Sequence, residues 1–289
     1  METKELGHTG VKISAIALGG MPMSLSSRPP ESESIKVIHR ALDLGVTLID
    51  TADSYCKDES DKHHNEGLIS KALSSYSGDK SNVLVATKGG LMRPNGSWTR
   101  NGNPKHLRET IRISFETLGG KPIDIWQYHA PDTDYTIEES LKPAKEAVEQ
   151  GMIRFVGVSN FSVEQIKRAR DVVEIVSVQN QYNPWNRQPE EDGVLEYCEK
   201  EQLTFLPWSP LGGSRRVGKL EDIDAIAQLA QEKSVSVYNI VLAWLRAKSP
   251  AIVPIPGASK VSSIEDSVRA VDVKLSDREV AQIDRATAS

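Results

Sequence analysis

A strand–helix alternation runs through this chain eight times, and it constrains the fold more than any other feature. Apolar stretches of four to six residues recur at 15–19, 46–49, 83–87, 123–128, 153–158, 176–180, 204–207 and 251–255. Segments with helical spacing of their apolar residues follow them. Ile35, Ile38 and Leu42 share one helix face, and Gly45 can end that helix. Asn103-Pro104 places an N-cap before a proline at the first helical position. Capping boxes open at Thr136, Ser162, Ser262 and Ser276, each with Glu or Gln three residues on. Strands this short and this apolar suit a parallel sheet covered by helices. The predicted fold is an α/β (β/α)8 TIM barrel occupying 1–289 as one domain. A hairpin over 4–13 would close its bottom, with extra helices in the seventh crossover and at the C-terminus. A doubly wound sheet competes, but no G-x-G-x-x-G turn follows an early strand.

The 289 residues carry a formal net charge of -5, which offers no general attraction to nucleic acid or anionic lipid. No apolar run approaches the ~20 residues that span a bilayer, so no membrane insertion is expected. Met1-Glu2-Thr3-Lys4-Glu5 lacks the apolar core of a signal peptide. The two cysteines, Cys56 and Cys198, fit no metal or disulfide spacing, and a cytoplasmic setting is the expectation.

In a barrel of this kind, chemistry sits where strands hand over to loops at their C-terminal ends. Those positions are Gly20-Met21, Asp50 with Tyr55, Lys88, His129, Ser159-Asn160, Gln179-Asn180, Trp208-Ser209 and Pro256-Gly257. Taken singly, each has a bland reading: Asp50 capping a turn, Tyr55 a loop aromatic, Lys88 a solvated turn lysine, His129 a structural histidine. Together they form a chemical set. A buried ammonium beside a phenol lowers the phenol's pKa from about 10, and a carboxylate lets that ammonium stay charged. A nearby imidazole can orient a carbonyl oxygen. Such a group can protonate a carbonyl while hydride reaches carbon, and the hydride implies a nicotinamide cofactor.

The motifs Asp50-Thr51-Ala52-Asp53-Ser54-Tyr55, Thr87-Lys88, Tyr128-His129, Gly157-Val158-Ser159-Asn160-Phe161, Gln179-Asn180-Gln181-Tyr182-Asn183, Ser209-Pro210-Leu211 and Ile255-Pro256-Gly257-Ala258 occur in this order. In order and spacing the chain resembles the aldo-keto reductase superfamily along nearly its whole length. The resemblance implies an NADPH-dependent reductase of aldehydes or ketones. It makes Tyr55 the general acid, Asp50 and Lys88 the tuners of its pKa, and His129 the orienter of the carbonyl. It assigns Ser159, Asn160 and Gln179 to the nicotinamide carboxamide and Trp208 to stacking on the ring. Ser209, Pro210, Leu211, Gly212 and Gly213 would line the pyrophosphate, with Gly20, Met21 and Asp50 beside the cofactor. Gly257, Ala258, Ser259, Lys260, Ser263, Asp266 and Ser267 would surround the adenosine 2′-phosphate of NADP(H). Many relatives have Lys-Ser at Gly257-Ala258, Arg or Gln at Ser263 and Asn at Ser267, so the grip on that phosphate is thinner here. The expected partner is a small-molecule carbonyl substrate, and the chain is expected to be a monomer or weak oligomer.

The loop from Cys56 to Asn65 is long and charged. His63, His64 and Glu66 raise a metal reading, against the favoured reading of a solvated loop. Cys56 beside Tyr55 is either a redox-sensitive thiol or a bystander. Trp98 either lines the substrate mouth or packs on the barrel rim. Arg215, Arg216 and Lys219 either reach the cofactor phosphates or stay solvated. Two other functions compete with the reductase: a nicotinamide-nucleotide-binding regulatory subunit, and a barrel isomerase or aldolase using Lys88 as a Schiff-base nucleophile.

Overall fold

Leu6-Gly7-His8-Thr9-Gly10 turns the chain back on itself, so that Lys4 pairs with Ile13 in an antiparallel hairpin. In this computed structural model, which describes residues 1–287, the hairpin strands are β1 (Thr3–Glu5) and β2 (Lys12–Ser14). The chain continues through β3 (Leu18–Gly19), α1 (Glu31–Asp43), β4 (Leu48–Asp50), α2 (His64–Ser75) and β5 (Leu84–Gly89). A second small hairpin, β6 (Leu91–Met92) with β7 (Thr99–Arg100), precedes α3 (Pro104–Thr117). Then come β8 (Ile123–Tyr128), α4 (Ile137–Glu149), β9 (Ile153–Ser159), α5 (Val163–Val172) and β10 (Ile175–Gln179). The last third holds α6 (Gln188–Glu191), α7 (Val194–Lys200), β11 (Thr204–Phe205), α8 (Asp224–Lys233), α9 (Val237–Lys248), α10 (Val261–Arg269) and α11 (Asp277–Ala286).

Seven strands pair in parallel in the order β3-β4-β5-β8-β9-β10-β11. The eighth segment closes the ring. Ile252 bridges Phe205 on one side, and Gly257 bridges Gly19 on the other, both in parallel. The fold is a (β/α)8 barrel. The eighth segment forms bridges in place of a full ladder because Pro254 and Pro256 have no N–H to donate. Their carbonyls still accept from Ala17 and Gly19 at 2.9 Å. The predicted extra helices are present, since α8 and α9 share the seventh crossover and α11 follows α10.

The barrel interior packs Leu48, Leu84, Ala86, Ile125, Val176, Leu206, Val253 and Ile255 against Leu6 and Ile13 of the hairpin. Both hairpin side chains are fully buried, so the hairpin plugs the bottom as the sequence led us to expect. Burying a side chain of this size contributes about 1.5–3 kcal/mol. Among the described residues, no helix is long and apolar enough to cross a membrane.

Three of the four capping boxes form: Thr136, Ser162 and Ser276 each bond the main chain three residues on. The fourth does not. α10 starts at Val261, with Lys260 at the N-cap and no side-chain cap bond. Val261 and Val268 pack against the cluster that holds Ile264, and this apolar stripe draws residue 261 into the helix. Ser262 therefore falls inside the first turn. Replacing Ser162 or Ser276 with Ala should cost about 1 kcal/mol in urea denaturation. Ser262→Ala should leave stability within about 0.5 kcal/mol of the parent. An equal loss in all three would contradict the observed start of α10.

Candidate active site

Register brings Asp50, Lys88, His129 and Tyr55 together. Asp50 ends β4 opposite Ala86 of β5, and Lys88 lies two residues further along β5, opposite Gln127 of β8. His129 follows β8 directly, and Tyr55 sits on the loop after β4. Lys88 Nζ donates to Asp50 Oδ2 at 2.7 Å, the Thr51 carbonyl at 2.8 Å and Tyr55 Oη at 2.9 Å. An ammonium has three donors, and all three are used. This matters because Lys88 is fully buried and an unpaired charge there would be very costly. Gln179 Nε2 donates to the other Asp50 oxygen at 2.8 Å, which fixes the carboxylate from β10.

The tyrosine hydroxyl accepts from Lys88, and the Asp50 carboxylate lies within hydrogen-bonding reach of the same hydroxyl. The His129 ring meets the Tyr55 ring edge-on, 5.9 Å between centroids at 77°. His129 Nδ1 lies 3.5 Å from Ser54 Oγ. Burial lowers the Lys88 pKa, and Asp50 opposes that shift. Burial also holds His129 well below its ordinary 6.5, with the Lys88 charge acting the same way, so the imidazole is neutral at pH 7.

Tyr55 departs from the expectation that Lys88 would pull its pKa down. Burial, and then the Asp50 carboxylate, push the phenol well above 10. Burial is the larger cause, since a phenolate there would lose its water, and the Asp50 carboxylate on the same ammonium adds its repulsion. Tyr55 keeps its proton in this pocket.

Strand ends further round the barrel join the same network. Ser159 Oγ donates to the Gln179 carbonyl at 2.7 Å. Asn160, at a left-handed φ of 62°, donates through Nδ2 to the His129 carbonyl at 2.9 Å and accepts from Trp208 Nε1 at 3.0 Å. The half-buried Trp208 ring is thereby pinned beside His129. Ser209, Gly212 and Gly213 all have positive φ in the following loop, which also holds Pro210 and Leu211. A Cβ at Gly212 would stand 2.5 Å from the Trp185 ring. Gly20 donates to the Asp50 carbonyl at 2.8 Å, with half-buried Met21 beside it. Ala258 and Ser267 are buried, Ser259 and Ser263 half-buried, and Gly257 and Lys260 exposed.

Asp266 is already engaged within the fold. Its carboxylate accepts from Ser236 Oγ at 2.7 Å and its carbonyl from Asn239 Nδ2 at 2.7 Å, tying α10 to the start of α9. Trp98 is 44% exposed on the β6–β7 hairpin, with the Arg93 guanidinium 3.9 Å from its ring. Arg215, Arg216 and Lys219 lie in the segment before α8, and Arg216 stacks over Trp185.

A family model for the aldo/keto reductase family matches residues 15–288. The chain belongs to the aldo/keto reductase family. An uncharacterized oxidoreductase of Schizosaccharomyces pombe is 37% identical over 259 residues, 89% of this chain and 80% of that one. Among solved structures, the thermostable aldo-keto reductase Tm1743, in complex with the inhibitor epalrestat, superposes with a TM-score of 0.85 at 30% identity. That match covers 99% of this chain and all of the other. A glycerol dehydrogenase from Gluconobacter oxydans gives 0.86 at 26% identity, covering 99% and 95% of the two chains. Membership in this family makes the protein an oxidoreductase with a carbonyl substrate and a nicotinamide cofactor.

In this aldo/keto reductase the charged loop is organised, which corrects the solvated reading. Asp61 binds Arg28 at 2.6 Å, His63 binds Glu66 at 2.6 Å, and His64 Nδ1 lies 2.8 Å from Ser24 Oγ. Fully buried Glu66 also accepts from the Thr87 hydroxyl. Among the described residues no group of His, Cys, Asp and Glu could hold a metal. The buried Cys56 thiol donates to the Ser54 carbonyl at 3.3 Å, and burial pushes it up to about 11, which disfavours the reactive thiolate.

Sequence reasoning missed the Thr51 carbonyl, because a main-chain acceptor leaves no trace in residue type. It also missed Asp53, which is buried, lies 3.3 Å from Lys62 Nζ and has its pKa raised to about 6 by burial. The D-x-x-D spacing from Asp50 to Asp53 was the only available signal.

Two of these shifts act on the acid stability in opposite directions. Unfolded His129 takes up a proton near pH 6.5 while the folded form does not, so it withdraws stability as pH falls below 6.5. Asp53 acts the other way. Its contribution is full below 3.8 and is lost as pH rises through about 6. His129→Gln should flatten the fall in stability between pH 6.5 and 5 by up to about 1.4 kcal/mol per pH unit, and Asp53→Asn should steepen it. Denaturation midpoints against pH measure both, and an unchanged slope in His129→Gln would exclude a buried neutral imidazole.

Proposed function

We propose that this protein reduces aldehydes or ketones to alcohols with NADPH, with Tyr55 as the general acid and 1–289 acting as one domain. The observation that carries this reading is the Lys88 ammonium shared between Asp50 and the Tyr55 hydroxyl. It holds a protonated phenol beside a neutral imidazole.

The residues present fit a nicotinamide dinucleotide. Trp208 offers a half-exposed aromatic face, pinned by Asn160. Asn160, Gln179 and Ser159 bring amide and hydroxyl groups to the same rim. α10 begins with no side-chain cap, so its first N–H groups are left for an anion, with Lys260 at the N-cap and Ser259 and Ser263 adjacent. That arrangement suits the 2′-phosphate of NADPH, and it follows from the missing fourth capping box. Bound there, the cofactor supplies hydride to the carbonyl carbon.

The chain's own residues do the rest. Tyr55 gives its proton to the carbonyl oxygen as charge gathers there, and Lys88 stabilises the resulting phenolate through the existing hydrogen bond. Asp50 keeps Lys88 charged and in place. His129, neutral, hydrogen-bonds the substrate oxygen and sets its approach. The oxygen gains one proton and the carbon one hydride, which balances carbonyl to alcohol. Cys56 and Cys198 are both free, which suits the reduced thiols of a cytoplasmic setting.

Tyr55→Phe should lower kcat by about 10²–10⁴-fold for a responsive aldehyde while leaving NADPH affinity near the parent value. Loss of NADPH absorbance and fluorescence titration measure the two, and normal turnover would remove Tyr55 as the acid. Lys260→Ala should reduce the NADPH-over-NADH ratio of kcat/KM roughly tenfold, as expected for loss of a phosphate ion pair. An unchanged ratio would place the 2′-phosphate elsewhere.

A further inference from the structure

We propose that Arg93 is an anion-binding residue of the substrate pocket, so that the preferred substrate is a carbonyl compound that also carries a carboxylate or phosphate. The inference rests on the carbonyl-reductase reading and names its substrate class.

Arg93 is only 6% exposed, yet its charge has no partner. A partly buried arginine elsewhere behaves differently: Arg187 holds Glu190 at 2.7 Å and Asp284 at 3.0 Å. Among the described residues Arg93 is in no ion pair. Its guanidinium makes one hydrogen bond, from Nη2 to the Lys57 carbonyl at 3.2 Å, and its buried Nε has no partner. One face lies on the Trp98 ring at 3.9 Å. A buried cation with an unused donor is costly unless something anionic completes it.

The nearby acids are committed elsewhere. Asp61 holds Arg28 at 2.6 Å. Asp58 accepts from the Ser60 hydroxyl at 2.6 Å and the Ser60 main chain at 2.9 Å. Glu59 comes closest. It accepts the Arg93 main-chain N–H at 2.7 Å and pairs with Lys62 at 3.5 Å, and it does not pair with the guanidinium.

Position gives this charge a purpose. The β6–β7 hairpin leaves the barrel directly after β5, the strand that carries Lys88, at the catalytic mouth. Lys57, which receives the Arg93 bond, is two residues past Tyr55. Arg93 also exerts the largest charge effect on Cys56, the residue next to Tyr55. A planar guanidinium fork lying against an aromatic ring suits two-point binding of a carboxylate or phosphate. A residue that only stapled the hairpin to the Lys57 carbonyl would need one donor and no charge.

Two matched pairs test this with NADPH oxidation as the readout: succinic semialdehyde against butanal, and glyceraldehyde 3-phosphate against glyceraldehyde. At least one anionic member should exceed its neutral partner in kcat/KM by roughly tenfold, the factor equivalent to about 1.4 kcal/mol. The pair that shows the preference tells carboxylate from phosphate. Arg93→Gln, which keeps a donor for Lys57 and loses the charge, should bring that ratio near one. Arg93→Lys should retain part of it. Equal losses for both members in Arg93→Gln, or no anionic preference in the parent, would overturn the proposal. Calorimetric binding of succinate and inorganic phosphate to the NADPH complex gives a second readout. At least one should bind saturably to the parent, weakly to Arg93→Lys and not to Arg93→Gln. Binding without any turnover would count against the carbonyl-reductase reading and leave the Arg93 site standing. Turnover of neutral aldehydes with no Arg93 effect would do the reverse.

Discussion

The polar cluster at the C-terminal ends of this barrel's strands depends on one buried ammonium. Lys88 has no access to solvent, and three acceptors replace the water it has lost: Asp50, the Thr51 carbonyl and Tyr55. Each comes from the end of β4 or from the loop that follows it. The ammonium thus fixes the start of that loop, and the loop fixes the phenol. Asp50 in turn is held by Gln179 from β10, so the centre is braced from strands on both sides.

The same charge bears on the proposed reduction. A lone cation beside Tyr55 would favour the phenolate, but burial and the Asp50 carboxylate oppose this, so the phenol keeps its proton. In the proposed reaction the ammonium then meets the charge that develops when that proton leaves, with little reorganisation. Around this centre, Asn160 connects the His129 main chain to the Trp208 indole. The side chains around Lys88 and those around Trp208 therefore form one connected network.

Legibility in the sequence varied with the kind of force involved. The strand–helix alternation and three of the capping boxes follow from local periodicity and local hydrogen bonding, and they appear where the residue pattern puts them. Ser262 shows the limit: its box is intact as a pattern, yet Val261 packs into the core beside Ile264 and the helix starts too early for the cap. The 251–255 stretch has strand composition, and Pro254 and Pro256 reduce it to bridges. The loop from Cys56 to Asn65 was opaque because its charges pair with Arg28, Glu66 and Ser24, partners whose proximity is set by the barrel. Asp266 matched a cofactor position by type, but its contacts are with Ser236 and Asn239.

By itself the sequence determined the barrel and the chemical types at its strand ends, since hydrophobic period and motif order are local properties of a chain. Tertiary structure alone decided how those types act. It buried Tyr55 and placed Asp50 between Lys88 and Gln179, and together these push up the phenol pKa that residue types alone led us to expect lowered. It also buried Arg93 without a counter-charge. Burial and the neighbouring field set a group's charge and its needs, and both are sums over atoms that the chain brings together only when folded.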